Sequence, residues 1–240
     1  SKTDEIIKLN LAIDAAKRAA AKEIIPILPY FPYQRSDKKD QSRGPIGVKV
    51  MAEMIEHRGA TGVVTFDLHA DQIQGFFNIP IDDLTAVSML GQYFRTKKFK
   101  EEVVVVSPDH GGATRARNLA DTLPGSTIAI IDKRRTKPNV AEAMNLIGDV
   151  NGKIAIIVDD IVDTGGSLMG GVDMLYANGA TEVYCACSHG ILSGNAVQRI
   201  HDSKIKELVV TNSIPLNDEK RKEPKLKQIS IGYMLAKTIQ

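Results

Sequence analysis

The sequence predicts an α/β fold of mainly parallel sheets flanked by helices, and three observations carry that expectation. Ile154-Ala-Ile-Ile-Val158 and the valines of Glu102-Val-Val-Val-Val-Ser107 are unbroken apolar runs, as in strands covered on both faces. Both runs lead through acidic residues and a glycine pair into a helix-like segment: Pro108-Asp109-His110-Gly111-Gly112, and Asp159-Asp160-Ile-Val-Asp163-Thr164-Gly165-Gly166-Ser167. Stretches with three- and four-residue apolar spacing alternate with the strand-like runs along the chain.

Taken in order, Thr3-Asp4-Glu5 starts a helix that Ile6, Leu9, Ile13 and Ala16 continue toward Ala21. Glu23 to Tyr30 reads as a strand, with Pro26 assigning it to an edge or an irregular start. Phe31 to Pro45 is the most polar stretch, a loop of mixed charge. Helix is expected over 48–58, strand over 62–66, helix over 85–96, strand over 102–107 and helix over 113–123. The second half continues with strand 128–131, strand 154–158, helix 168–177, strand 182–188, helix 196–201, strand 208–211 and helix 231–239.

Composition narrows the function classes. Of 240 residues, 43% are apolar and 25% charged, and 31 basic against 29 acidic residues leave a net charge of +2. That balance gives no reason to expect a nucleic acid or a membrane surface as partner. No apolar run approaches the roughly 20 residues that span a bilayer, and the first residues are polar rather than signal-like. Cys185 and Cys187 stand two apart on one strand face, too close for an easy disulfide. With His189 they could suggest metal, but a fourth ligand is missing and small buried core residues are the simpler reading. A cytoplasmic protein is expected.

The loop after Val158 is the first candidate site. Loops between a parallel strand's carboxyl end and a helix's amino end bind anions. Gly165 and Gly166 let backbone N–H groups approach a phosphate, and Thr164 and Ser167 add hydroxyl donors. Asp159 and Asp160 are unsuited to an anion but suited to sugar hydroxyls; alternatively they form a solvated strand end, with Asp163 or Ser167 capping the helix. V-D-D-I-V-D-T-G-G-S resembles the ribose-5-phosphate loop shared by phosphoribosyltransferases and ribose-phosphate diphosphokinases, and alone does not separate the two.

Asp67-Leu-His69-Ala-Asp-Gln-Ile-Gln-Gly-Phe-Phe77 separates them. Asp67 and His69, two apart on an extended chain, would point the same way, toward metal-phosphate or into a structural ion pair. The whole segment resembles the signature of ribose-phosphate diphosphokinases. Tyr33-Gln-Arg35-Ser36-Asp-Lys-Lys-Asp-Gln-Ser-Arg43 resembles the same family's ATP loop, with Ser36 where the family usually has Gln. Asp132-Lys133-Arg134-Arg135, then Asn139-Val-Ala-Glu-Ala-Met144, resembles its catalytic loop, where three cations suit a transition state accumulating negative charge.

The chain is thereby identified as a member of that family, class I type, over nearly all its length. The resemblance implies two phosphoribosyltransferase-like domains. Residues 1–86 would be the first, carrying ATP and Mg²⁺ motifs. Residues 87–240 would be the second, carrying the ribose-5-phosphate loop, with the last helix packing back on the first domain. It also implies that the first domain lacks its opening segment, where the family keeps an acidic ATP-contacting loop supplied across a subunit interface.

The implied reaction transfers diphosphate from Mg-ATP to the 1-hydroxyl of ribose 5-phosphate, giving 5-phosphoribosyl 1-diphosphate and AMP. Lys133 and Arg135 are the implied catalytic pair; Asp159, Asp160, Asp163, Thr164, Gly165, Gly166 and Ser167 would bind ribose 5-phosphate. Arg35 and His69 would contact ATP, and His69, Asp109 and Asp67 would hold Mg²⁺. Arg43 and Ser193 would belong to a regulatory phosphate/ADP site, Ser193 in an S-G-N-A turn with Asn195 for the family's Pro. His110 replaces a usually small apolar residue, and Asn78 replaces an acid, the next acid being Asp82. Arg115 and Arg117 read as helix-surface charges. A homo-oligomer of dimers assembling into a hexamer is implied. A nucleobase phosphoribosyltransferase, or a non-catalytic or truncated member acting as an associated subunit, are the alternatives.

Overall fold

The computed structural model describes residues 2–134 and 143–239. By its internal packing the chain divides into two compact units, Ser1–Thr85 and Ala86–Gln240, and each is α/β with mainly parallel strands.

Among the described residues, unit one holds helices α1 (Lys2–Arg18) and α2 (Gly47–Arg58) and strands β1 (Ile27–Leu28), β2 (Val63–Phe66) and β3 (Ile81–Leu84). The strands form a parallel sheet in the order β1-β2-β3. All four residues of β2, the central strand, are buried. Ile13 of α1, Val48, Met51 and Ile55 of α2, and Val63 of β2 join Phe31 and Ile73 in one apolar cluster. The strand expected over 23–30 shrinks to two residues at the sheet edge, in keeping with Pro26, which has no N–H to donate. β3 was not foreseen: Asp82 and Asp83 hide the strand pattern, and its residues are exposed or half-buried.

Unit two is built from α3 (Val87–Thr96), β4 (Val103–Ser107), α4 (Ala113–Asp121), β5 (Thr127–Arg134), β6 (Ala143–Ile147), β7 (Ile154–Val162), α5 (Gly166–Ala177), β8 (Glu182–Gly190), α6 (Ala196–Asp202), β9 (Glu207–Thr211), β10 (Leu226–Ile229) and α7 (Gly232–Ile239). Its seven strands run in the order β10-β9-β8-β7-β4-β5-β6, parallel except where β6 pairs antiparallel with β5. The unbroken apolar runs follow from two-sided burial. Ala155 and Ile157 of β7 face one core with Val104 and Val106 of β4 and with Leu168, Val172 and Leu175 of α5. Ile156 and Val158 face the other, with Val105 of β4, Leu90 of α3 and Leu119 of α4. Cys185 and Cys187 are free thiols buried in the first core, and burial raises both thiol pKa values.

Two sequence expectations need correction here. β7 does not stop at Val158 but continues to Val162, because β8 runs on to Gly190 and keeps pairing with it. β6 and β10 were missed because each is a short edge strand whose apolar residues are interrupted by polar ones, Asn145 in the first and Lys227 with Gln228 in the second.

Candidate functional site

In unit two, β4, β5 and β7 are parallel neighbours, so the segments that follow them leave from one end of the sheet. That carboxyl end is where open α/β sheets bind ligands. Three of the sequence-derived groups lie on these segments: Asp109 after β4, Lys133 near the end of β5, and residues 159–167 after the apolar core of β7. The side chain of Lys133 and the whole of Arg135 lie outside the described residues.

Because β7 continues through the acidic pair, alternation splits the two carboxylates. Asp160 is buried at 4% exposure, whereas Asp159 is half-buried. They nevertheless interact: the Asp160 N–H donates to Asp159 Oδ1 at 2.9 Å. Burial first, then the Asp160 carboxyl, drive the Asp159 carboxyl upward to about 8, against the pull of Arg115. Arg115, on α4, holds Nη1 3.5 Å from Asp160 Oδ1 and 3.9 Å from Asp159 Oδ1. Its side chain is 19% exposed, so the expectation of a helix-surface charge is wrong. What could have signalled it is the acidic pair at the end of a buried strand, whose buried member demands a counter-charge.

The turn after β7 is held from several sides. Gly165 adopts φ +76° and a β-carbon there would meet nothing within 4 Å, so glycine serves the left-handed backbone rather than a close contact. Gly166 then opens α5. Ser193 Oγ donates to the Asp163 carboxylate, and Ser193 N donates to Asp163 O at 3.1 Å. Arg199 Nη1 donates to the Thr164 carbonyl at 2.8 Å. Ser193 therefore lies against the candidate sugar-phosphate loop, a placement the sequence did not suggest.

The loop after β4 repeats the theme with tighter packing. Asp109 Oδ1 accepts from the Gly112 N–H at 2.9 Å, and a β-carbon at Gly112 would approach Ser107 Oγ to 2.7 Å. Asp109 is exposed, an oxygen donor of the kind Mg²⁺ takes when substrate phosphates supply other ligands. His110, to which the sequence gave no role, places Nε2 3.1 Å from Asp132 Oδ1. Asp132 is buried and directly precedes Lys133.

Unit one gathers the other two motifs. Gln34 Oε1 accepts from the His69 backbone N–H at 2.9 Å, and Gln72 Nε2 donates to Asp37 at 2.8 Å. The 31–45 loop and the 67–77 segment are thus neighbours, with Arg35, Arg43 and the His69 side chain exposed. Asp67 and His69 do not point the same way on an extended chain. Asp67 turns at φ +40°, is 9% exposed, and accepts from Thr85 Oγ1 at 2.8 Å. The backbone reversal, not strand alternation, sets their directions.

The departures from the expected pattern also find partners. Ser36 Oγ accepts from the Gly47 N–H at 3.1 Å and so serves the first turn of α2. Asn78 donates to both carboxylate oxygens of Glu56, at 2.7 and 2.9 Å; an acid in its place would set like charges together. Among the described residues no three His, Cys, Asp or Glu side chains form a metal cluster, and no helix is long and apolar enough to cross a membrane.

Residues 1–59 match the family model "N-terminal domain of ribose phosphate pyrophosphokinase", and residues 131–240 match "Phosphoribosyl synthetase-associated domain". The chain is 55% identical over 236 residues to ribose-phosphate pyrophosphokinase of Bacillus subtilis, covering 98% of this chain and 74% of that one. It is 52% identical to the enzyme of the same name from Corynebacterium ammoniagenes, with the same two coverages. Among solved structures, phosphoribosylpyrophosphate synthetase from Mycobacterium smegmatis matches with a TM-score of 0.91 at 41% identity, over 98% of this chain and 76% of that one.

Proposed function

The chain belongs to the ribose-phosphate pyrophosphokinase family, and from that membership we propose that it transfers diphosphate from ATP to O1 of ribose 5-phosphate. The products are 5-phosphoribosyl 1-diphosphate and AMP. The observation that carries this reading is the single segment from Val158 to Gly166. It presents two interacting carboxylates, then a left-handed glycine, then a helix amino end. Carboxylates accept from the ribose hydroxyls, and the N–H groups at the start of α5 accommodate the 5-phosphate.

The donor half of the reaction rests on unit one and on the loop after β4. Arg35 and His69 contact ATP in this proposal. By the family resemblance Asp109 and His69 would each offer a ligand to Mg²⁺, while Asp67 steadies the backbone turn before His69. The chemistry that Mg²⁺ would supply there is positive charge against the donor phosphates. The sugar 1-hydroxyl oxygen forms a bond to the β-phosphorus as the bond from that phosphorus to the AMP oxygen breaks. Lys133 and Arg135 neutralise the charge that gathers between them. Such transfers depend on positioning and electrostatics rather than a covalent nucleophile.

Further parts of the proposal are a cytoplasmic location, a regulatory anion contact at Arg43, and association into homo-oligomers. Exposed Ile7 and Leu11 on α1 and Val50 on α2 supply apolar surface of the kind that association covers. The deciding experiment incubates the protein with Mg²⁺, ATP and ribose 5-phosphate and follows AMP. AMP that depends on ribose 5-phosphate is expected. Diphosphate release that depends on a nucleobase and not on ATP would instead identify a phosphoribosyltransferase.

A further inference from the structure

The turn that carries Arg35 buries the side chain just before it. Ser36 N donates to Tyr33 O at 2.8 Å, which closes a four-residue turn with Gln34 and Arg35 at its two central positions. Arg35 is exposed, whereas Gln34 is fully buried. Gln34 Oε1 accepts from the His69 N–H at 2.9 Å, across 35 residues of sequence. The other half of the amide is unmatched: among the described residues, Gln34 Nε2 has no hydrogen-bond partner.

The bond to His69 completes a set of three. Asp67 turns the backbone at φ +40°, and the N–H groups that follow β2 each need an acceptor. The Asp67 N–H donates to the Leu84 carbonyl at 2.8 Å, and the Leu68 N–H to the Asp83 carboxylate at 3.2 Å. Both of those acceptors belong to β3. The His69 N–H, next in line, goes to Gln34 instead. Stability alone does not account for a glutamine here, because a buried donor left unmatched is costly and an apolar side chain of similar shape avoids that cost. What glutamine adds is an acceptor that joins the Arg35 turn to the backbone of His69. A second link, Gln72 to Asp37, runs between the same segments through exposed side chains, where water competes.

Taking Arg35 and His69 as ATP contacts, as proposed above, we propose that Gln34 is the positioning residue of the ATP side. Its amide holds the two turns at one spacing, so that guanidinium and imidazole meet the nucleotide already ordered. Being buried, Gln34 touches no substrate and acts through the two backbones. Without this bond the turns part at this point, and ATP binding has to supply the ordering itself.

The test uses the full chain with Gln34→Met and Gln34→Ala. Mg-ATP binding is read by calorimetry without ribose 5-phosphate, turnover by AMP formation, and stability by urea melts. Gln34→Met keeps the bulk of the side chain and removes both the acceptor and the unmatched donor, so its melt should stay near wild type or move upward. About tenfold weaker Mg-ATP binding is expected, the scale of one hydrogen bond, with a matching rise in the KM for ATP. The KM for ribose 5-phosphate should stay within about twofold of wild type. Gln34→Ala should weaken Mg-ATP binding equally while melting earlier, because it also opens a cavity. Mg-ATP binding as tight as wild type in the folded variants, whatever their melts, overturns the assignment and leaves a structural glutamine; failure of both variants to fold does the same. Failure of the wild type itself to bind Mg-ATP overturns instead the reading of Arg35 and His69 as ATP contacts, and the role of Gln34 with it.

Discussion

The guanidinium of Arg115 stands 3.5 Å from the buried carboxylate of Asp160, joining the helix after the β4 loop to the strand that carries the sugar-binding pair. Removing one partner of a buried pair leaves the other charge uncompensated, which costs ~3 kcal/mol or more. Arg115→Leu should therefore lower the unfolding free energy, measured by urea melts at neutral pH, by that order. Asp160→Asn added to it should restore more than half of the loss, since the stranded charge is gone. A single variant as stable as wild type would show that water already solvates Asp160.

Asp159 gives a pH dependence whose sign is the reverse of the usual carboxylate. Its pKa rises from 3.8 to about 8 on folding, chiefly through burial and then through the Asp160 carboxyl. Between those values the folded chain holds a proton that the unfolded chain has lost, so this group makes stability fall as pH rises. Above about 8 the deficit is complete. Asp159→Asn should consequently gain on wild type from pH 5 to pH 8 by at least ~1.4 kcal/mol, the value of one pKa unit. Denaturant melts at the two pH values measure this, and a pH-independent difference would contradict it.

The sequence revealed buried elements far better than edges. Val103–Val106 and Ile154–Val158 announced themselves because both faces are covered, whereas the short edge strands β3, β6 and β10 are interrupted by polar residues. The same logic applies to the site. Loop residues such as Gly165 were readable because local backbone chemistry demands them. Arg115, Arg199 and the Ser193–Asp163 contact were not, because their partners lie far along the chain and only the sheet order brings them together. Asp67 and His69 misled for a local reason: one left-handed residue cancels the alternation that a strand would impose.

His110 offers a prediction that the sequence alone could not supply. Its Nε2 bonds Asp132 at 3.1 Å, and Asp132 shares a peptide bond with Lys133, so His110 ties the Asp109 loop to the proposed catalytic strand. His110→Ala should reduce kcat about tenfold, the loss of one hydrogen bond to a charged group, with the KM for ribose 5-phosphate within about twofold. His110→Gln, which presents an amide nitrogen at similar reach, should recover most of kcat. Equal losses in both variants would argue against positioning through Asp132.

Lys133 tests the transition-state half of the proposal. Its backbone lies in β5, parallel to β4, on the end of the sheet where the loops after β4 and β7 also emerge. If its ammonium acts only on charge developing between sugar oxygen and leaving AMP, its removal should affect the barrier and spare the ground state. By analogy with losing one oxyanion donor, Lys133→Ala should raise that barrier by ~3–4 kcal/mol, a fall in kcat of several hundredfold. Calorimetric affinity for ribose 5-phosphate should stay near wild type, because the 163–167 loop and Asp159 are untouched. Undiminished turnover would remove Lys133 from the chemistry. An equal loss of ribose 5-phosphate affinity would move it to the acceptor site.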